Sequence, residues 1–153
     1  MMNKLFKLIL GLVLLILAAQ LIKVDRTNPP VLADIPAPPQ VKEILKRVCY
    51  DCHSNETVWP GYTEIAPISW LAAYDVNEGR SELNFSTWNL YDIQKRDKIK
   101  KEILEVIEEQ EMPPWFYLVI HTDAILSSED RALIRDWASK PSYDSDDIYE
   151  SGM

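Results

Sequence analysis

The chain has 153 residues, 47% of them apolar, which suits one small domain with short additions. Its net charge is −8, and the first 26 residues carry Lys4, Lys7, Lys23 and Arg26 against Asp25, so the remainder is more acidic than the whole. That balance excludes a nucleic-acid binder working through phosphate contacts. It favours a basic protein as partner.

In chain order, the first element is an aliphatic run over residues 8–22, broken only by Gly11 and Gln20 and preceded by Lys4 and Lys7. With Leu5 and Phe6 it reaches about the length needed to cross a bilayer. No small-x-small cleavage site follows, so residues 1–26 read as an uncleaved signal anchor and transmembrane helix. A cleaved signal peptide and a buried core helix are the alternatives. Residues 27–40 contain Pro29, Pro30, Pro36, Pro38 and Pro39 and read as a stiff, extended linker.

A helix is predicted over 41–48, with Val41, Ile44, Leu45 and Val48 on one face. Residues 54–67 are turn-like. A second helix over 68–82 is expected to turn Trp70, Leu71 and Tyr74 inward, with Gly79 weakening its last turn. A loop with Phe85 and Trp88 follows. The clearest amphipathic helix covers 97–110, with Ile99, Ile103, Val106 and Ile107 on one stripe. Met112-Pro113-Pro114 stops it. Residues 115–123 read as irregular or extended. Ser127, with Asp130 three residues on, caps a last helix that turns Leu133, Ile134 and Trp137 inward. Residues 141–153 form an acidic tail expected to be disordered. No segment shows sustained period-two alternation, so the fold class is all-α, with the domain over residues 41–140.

The chain's only two cysteines stand in the run Cys49-Tyr50-Asp51-Cys52-His53, and one of its two histidines completes it. A C-x-x-C-H run is the attachment pattern of haem c. Each thiol adds across a vinyl group of the ring as a thioether, and the histidine supplies the proximal iron ligand. Three other uses of a cysteine pair remain open. A thioredoxin-like motif would need a βαβ context. A zinc site would need four ligands, and only His53 and His121 remain to join the pair. A structural disulfide across so short a gap would close a ring of little entropic value.

One such run implies one haem per chain. The candidates for a second axial ligand outside the first apolar run are Met112, His121 and Met153. Met112 is favoured, since the two prolines after it would stiffen its loop, and a thioether raises the reduction potential. An open sixth site is the remaining option.

The order of parts resembles class I c-type cytochromes: a helix leading into C-x-x-C-H, a middle helical region, a methionine loop and a closing helix. The run Cys49-Tyr50-Asp51-Cys52-His53-Ser54-Asn55-Glu56-Thr57, with Trp59-Pro60, is also similar to a small bacterial haem-binding domain family built on C-x-x-C-H-S-N-x-T. The segments Ile65-Ala66-Pro67-Ile68-Ser69-Trp70, Asn84-Phe85-Ser86 and Glu111-Met112-Pro113 resemble that family too. The resemblance covers about residues 41–137. It implies a cytochrome c-like helical domain around a covalently attached haem on the outer, periplasmic side of the bacterial inner membrane. It also implies that Pro67 offers its carbonyl to the second ring nitrogen of His53. Trp70 and Trp137 are expected near the ring or across the helix crossing. The function expected is one-electron transfer to a redox partner protein rather than catalysis. A haem peroxidase or a gas or redox sensor is the alternative.

Overall fold

A computed structural model describes residues 3–142. Among them are seven α-helices and no strand, apart from one isolated parallel bridge between Ala33 and Thr87. The expectation of an all-α chain holds.

Helix α1 covers Lys4–Ala19 and buries none of its side chains. At Gln20 the helix tightens: the amides of Gln20, Leu21 and Ile22 each reach back three residues, to Leu17, Ala18 and Ala19. Sixteen helical residues span about 24 Å, against about 30 Å for a bilayer's hydrocarbon core. No helix of the described residues is long and apolar enough to cross a membrane. Among the described residues, the apolar run expected as a transmembrane helix forms a shorter, exposed helix. Gln20 marks this end: its Nε2 donates both to the helix carbonyl of Ile16 at 2.9 Å and to the carbonyl of Ala66 at 3.1 Å, and its Oε1 accepts from the amide of Ala66 at 3.0 Å.

The proline-rich stretch is not a free spacer. The Asn28 side chain donates to the carbonyl of Thr57, Asn55 donates to the carbonyl of Pro30, and the amides of Leu32 and Ala33 donate to that of Ser86. Ile35 is fully buried. Asp34 bonds to both Lys42 and Tyr50. The prolines that make this strap extended also leave its carbonyls free to accept from the domain. The stretch expected to be a linker is thus a strap hydrogen-bonded to residues of the domain that follows.

Helix α2 (Pro39–Val48) turns Val41, Ile44, Leu45 and Val48 inward, as its spacing predicts. Helix α5 (Ile93–Glu108) starts earlier than expected, because Asp92 caps it by accepting from the amide of Lys95 at 2.7 Å. Helix α7 (Ser128–Ala138) opens with a reciprocal capping box between Ser127 and Asp130. Helix α7 packs on both α2 and α5, and the shared core includes Leu45, Ile107, Ile134 and Trp137. Between α5 and α7, the apolar stretch after Met112 forms a short helix, α6 (Trp115–Leu118), and a 3-10 turn at Thr122–Ala124, not an irregular or extended segment.

The largest departure lies in helix α4 (Ile68–Glu82). Leu71 and Tyr74 are each 62% exposed, and the buried face is Ser69, Ala73, Val76 and Gly79. A face of small residues is buried here because helix α3 (Tyr50–His53) lies directly against it. The large apolar residues had drawn the expected face to the wrong side. The acidic tail, beyond Ser142, lies outside the described residues, and so does Met153.

Candidate cofactor site

Cys49 is shared by two helices. It ends α2, with its amide bonded to the carbonyl of Leu45, and it opens α3, with its carbonyl accepting from the amides of Cys52 and His53. One tight turn thus carries both thiols and the imidazole. All three line a cavity of about 390 Å³, a volume in the range of cofactor sites. Ile99, Ile103 and Val106 of α5 line it too, as do Met112 and Tyr117.

Met112 reaches the cavity through the end of α5. The amide of Glu111 bonds to the carbonyl of Val106 at 2.9 Å and that of Gln110 to Ile107 at 3.3 Å, with Gln110 at φ 61°. This is a Schellman reversal. It turns the chain at Gln110, two residues before Met112, and Met112, Pro113 and Pro114 all line the cavity.

His53 is oriented by its own backbone frame. Its Nδ1 lies 2.9 Å from the carbonyl oxygen of Gly79 and 3.1 Å from that of Leu83. Carbonyls only accept, so Nδ1 carries the proton and Nε2 keeps its lone pair. Burial pushes the imidazole below its ordinary pKa and keeps it neutral. Phe85, fully buried, stands edge-on to the ring at 6.4 Å and stacks on Tyr50 at 5.1 Å.

Burial also raises both thiols, Cys49 to about 12 and Cys52 to about 11. They are protonated at neutral pH and poor nucleophiles for disulfide exchange. Both are free, so they do not form the structural disulfide weighed above. Among the described residues no group of three or more His, Cys, Asp or Glu side chains is placed to hold a metal ion. With no strand among the described residues, the thioredoxin-like context is missing there as well.

Two expected site residues lie elsewhere. Pro67 is exposed at the start of α4, where its carbonyl accepts from the amides of Trp70 and Leu71. The carbonyls of Gly79 and Leu83, one turn apart at the other end of α4, take the role expected of it. Trp70 does not line the cavity; its Nε1 donates to the carbonyl of Ile22 at 3.2 Å. Trp137 is in the core beneath Lys100, also away from the cavity. His121 is held outside it. Its ring stacks on Tyr117 at 4.0 Å and its Nε2 bonds to the hydroxyl of Tyr62 at 2.6 Å.

Residues 14–140 match the sequence model of the haem-binding domain family. The chain belongs to that family. No curated protein and no solved structure matches it. Haem is the cofactor of this haem-binding protein, and the cavity suits it: apolar walls, two free thiols on one turn and an imidazole whose Nε2 is unprotonated.

The haem-binding domain also explains the residues that follow its histidine. Ser54 Oγ donates to the carbonyl of Tyr50 at 2.7 Å, and Thr57 Oγ1 donates to that of Asp51 at 2.8 Å. Asn55 is bonded to Asn84, Ser86 and Pro30. Arg80 of α4 then donates to the carbonyls of Ser54 and Thr27 and to the side chains of Thr57 and Asn28. The run after His53 is thus a set of ties that lock α3 to α4 and to the strap. Gly79, Arg80 and Tyr117 were missed as contributors. Gly79 had a signal, because a glycine inside a helix costs stability and needs a packing reason. Arg80 and Tyr117 had none.

Proposed function

We propose that this chain is a mono-haem c-type cytochrome that carries single electrons at the outer face of the bacterial inner membrane. When bound, haem supplies an iron that takes up or releases one electron. The observation that carries this reading is the tautomer of His53. Its Nδ1–H is held by two carbonyls, so Nε2 is the atom available to iron, on the same turn as both thiols. A second-ring-nitrogen partner of this kind fixes a ligand's orientation and raises its basicity.

Cys49 and Cys52 would hold the ring through thioethers, and Met112 would supply the sixth ligand. Met112 lines the cavity, while His121 is engaged with Tyr62 and Tyr117 outside it. Among the cavity-lining residues there is no arginine and no histidine besides His53, so the site lacks the distal pair suited to peroxide cleavage. Glu82, Glu102 and Glu105 also line the cavity. Their charge complements a basic redox partner and would steer its approach.

Helix α1 supports membrane attachment. Large apolar residues from Leu5 to Leu17 are exposed, and so are Leu21 and Ile22 in the tightened turn beyond the helix. A patch of that extent is a contact for lipid or protein rather than for water. Insertion of α1 into the bilayer would cover it.

The test is covalent haem. Protein made with haem-maturation machinery should keep its haem through denaturing gel electrophoresis, and the Cys49→Ala, Cys52→Ala double variant should lose it. Haem staining retained in that variant would sink the c-type assignment while leaving haem binding intact.

A further inference from the structure

A second cleft, of about 290 Å³, opens at the foot of α1 and is lined by Lys23, Arg26, Glu64, Ala66 and Ser69 among others. It is built, not incidental. Gln20 pairs with both backbone groups of Ala66, Trp70 donates to the carbonyl of Ile22, and Arg26 donates to the carbonyl of Thr63 at 2.9 Å. These bonds make α1 leave the domain at one fixed place. Around that place Ile65, Ile68 and Leu71 are 56%, 45% and 62% exposed. Two cations against the one carboxylate of Glu64 therefore stand between an uncovered apolar helix and an uncovered apolar rim.

We propose that this cleft seats the phosphate of a phospholipid headgroup and, with Ile65, Ile68 and Leu71 dipping into the interface, holds the haem domain on the bilayer in one orientation. The inference rests on the reading that α1 enters the membrane. The layering matches the bilayer's own: hydrocarbon for α1, phosphate for Lys23 and Arg26, and the headgroup boundary for the apolar rim. Positive charge is needed locally because the chain as a whole carries −8 and would be repelled by an anionic leaflet. A domain on a loose tether would need no such cleft, and here the residues after α1 are bonded to the domain.

The experiment uses the full-length, haem-loaded, oxidised protein in vesicles of phosphatidylcholine and phosphatidylglycerol. A nitroxide is attached at Leu71→Cys, or at Glu109→Cys, an exposed position at the end of α5. Relaxation by oxygen, which partitions into lipid, is compared with relaxation by a water-soluble nickel chelate. The oxygen-to-nickel ratio should be several-fold higher at position 71 than at 109, and adding Lys23→Glu should bring it down towards the control. Equal ratios at the two positions, in vesicles that keep the protein through a salt wash, overturn the seating and leave α1 insertion standing. Protein that washes off the vesicles overturns both.

Discussion

The carbonyl oxygen of Gly79 lies 2.9 Å from Nδ1 of His53, and the same glycine leaves no room for a side chain beside the turn that carries Cys52. A Cβ on Gly79 would meet the carbonyl oxygen of Cys52 at 2.7 Å and its Cβ at 3.0 Å. One residue therefore sets both the approach of α3 to α4 and the orientation of the His53 imidazole.

Gly79→Ala should push α3 away from α4, since the atom it meets is backbone and cannot swing aside. Overpacking of this kind costs about 1–3 kcal/mol, read as a lower urea midpoint of the apoprotein. The yield of covalent haem should fall with it. Gly61→Ala, where an added Cβ meets nothing within 4 Å, should leave both unchanged. Equal effects of the two substitutions would argue against the close approach as the cause.

Met112 and His121 separate in the visible spectrum. Met112→Ala should remove the weak far-red band of oxidised methionine-ligated haem, lower the reduction potential and open the site to carbon monoxide. His121→Ala should do none of these, because its ring is turned to Tyr62 and Tyr117. Rapid carbon monoxide binding by the unmutated protein would move the sensor or enzyme reading ahead of electron transfer.

Asp34 ties the strap to Tyr50 of α3 and Lys42 of α2 and makes that tie acid-sensitive. Burial alone would raise its pKa, but the bonds from Lys42 and Tyr50 and the charge of Lys42 outweigh it and hold the carboxyl below its ordinary 3.8. A carboxyl lowered on folding adds stability above its unfolded pKa and loses it as pH falls through the folded value. Thermal stability should therefore drop below about pH 4 by less in Asp34→Asn than in the unmutated protein, as followed by circular dichroism.

Gln110 adopts a left-handed conformation that favours glycine, at the reversal that carries Met112 over the cavity. Gln110→Gly should raise stability by about 0.5–1 kcal/mol, because the Cβ penalty goes while the Schellman bonds remain. The Met112-dependent band should be unaltered. Chemical denaturation monitored beside the visible spectrum checks both.

The sequence by itself carried the haem-binding reading and most of the helices. The haem motif is local: Cys49, Cys52 and His53 share one turn wherever that turn is placed. Helices α2, α5 and α7 carry their buried faces in their own spacing, and the cap at Ser127 is a matter of neighbouring residues. The tertiary structure alone decided which face of α4 is buried, since Ala73 and Gly79 are chosen for how near they let α3 come rather than for how apolar they are. It decided the partner of His53, because a carbonyl is present at every residue and only the packing of α3 on α4 selects those of Gly79 and Leu83. It also turned a proline-rich stretch from spacer to strap. Extended backbone looks the same in both roles until Asn55, Arg80 and Ser86, all distant in the chain, supply its hydrogen-bond partners.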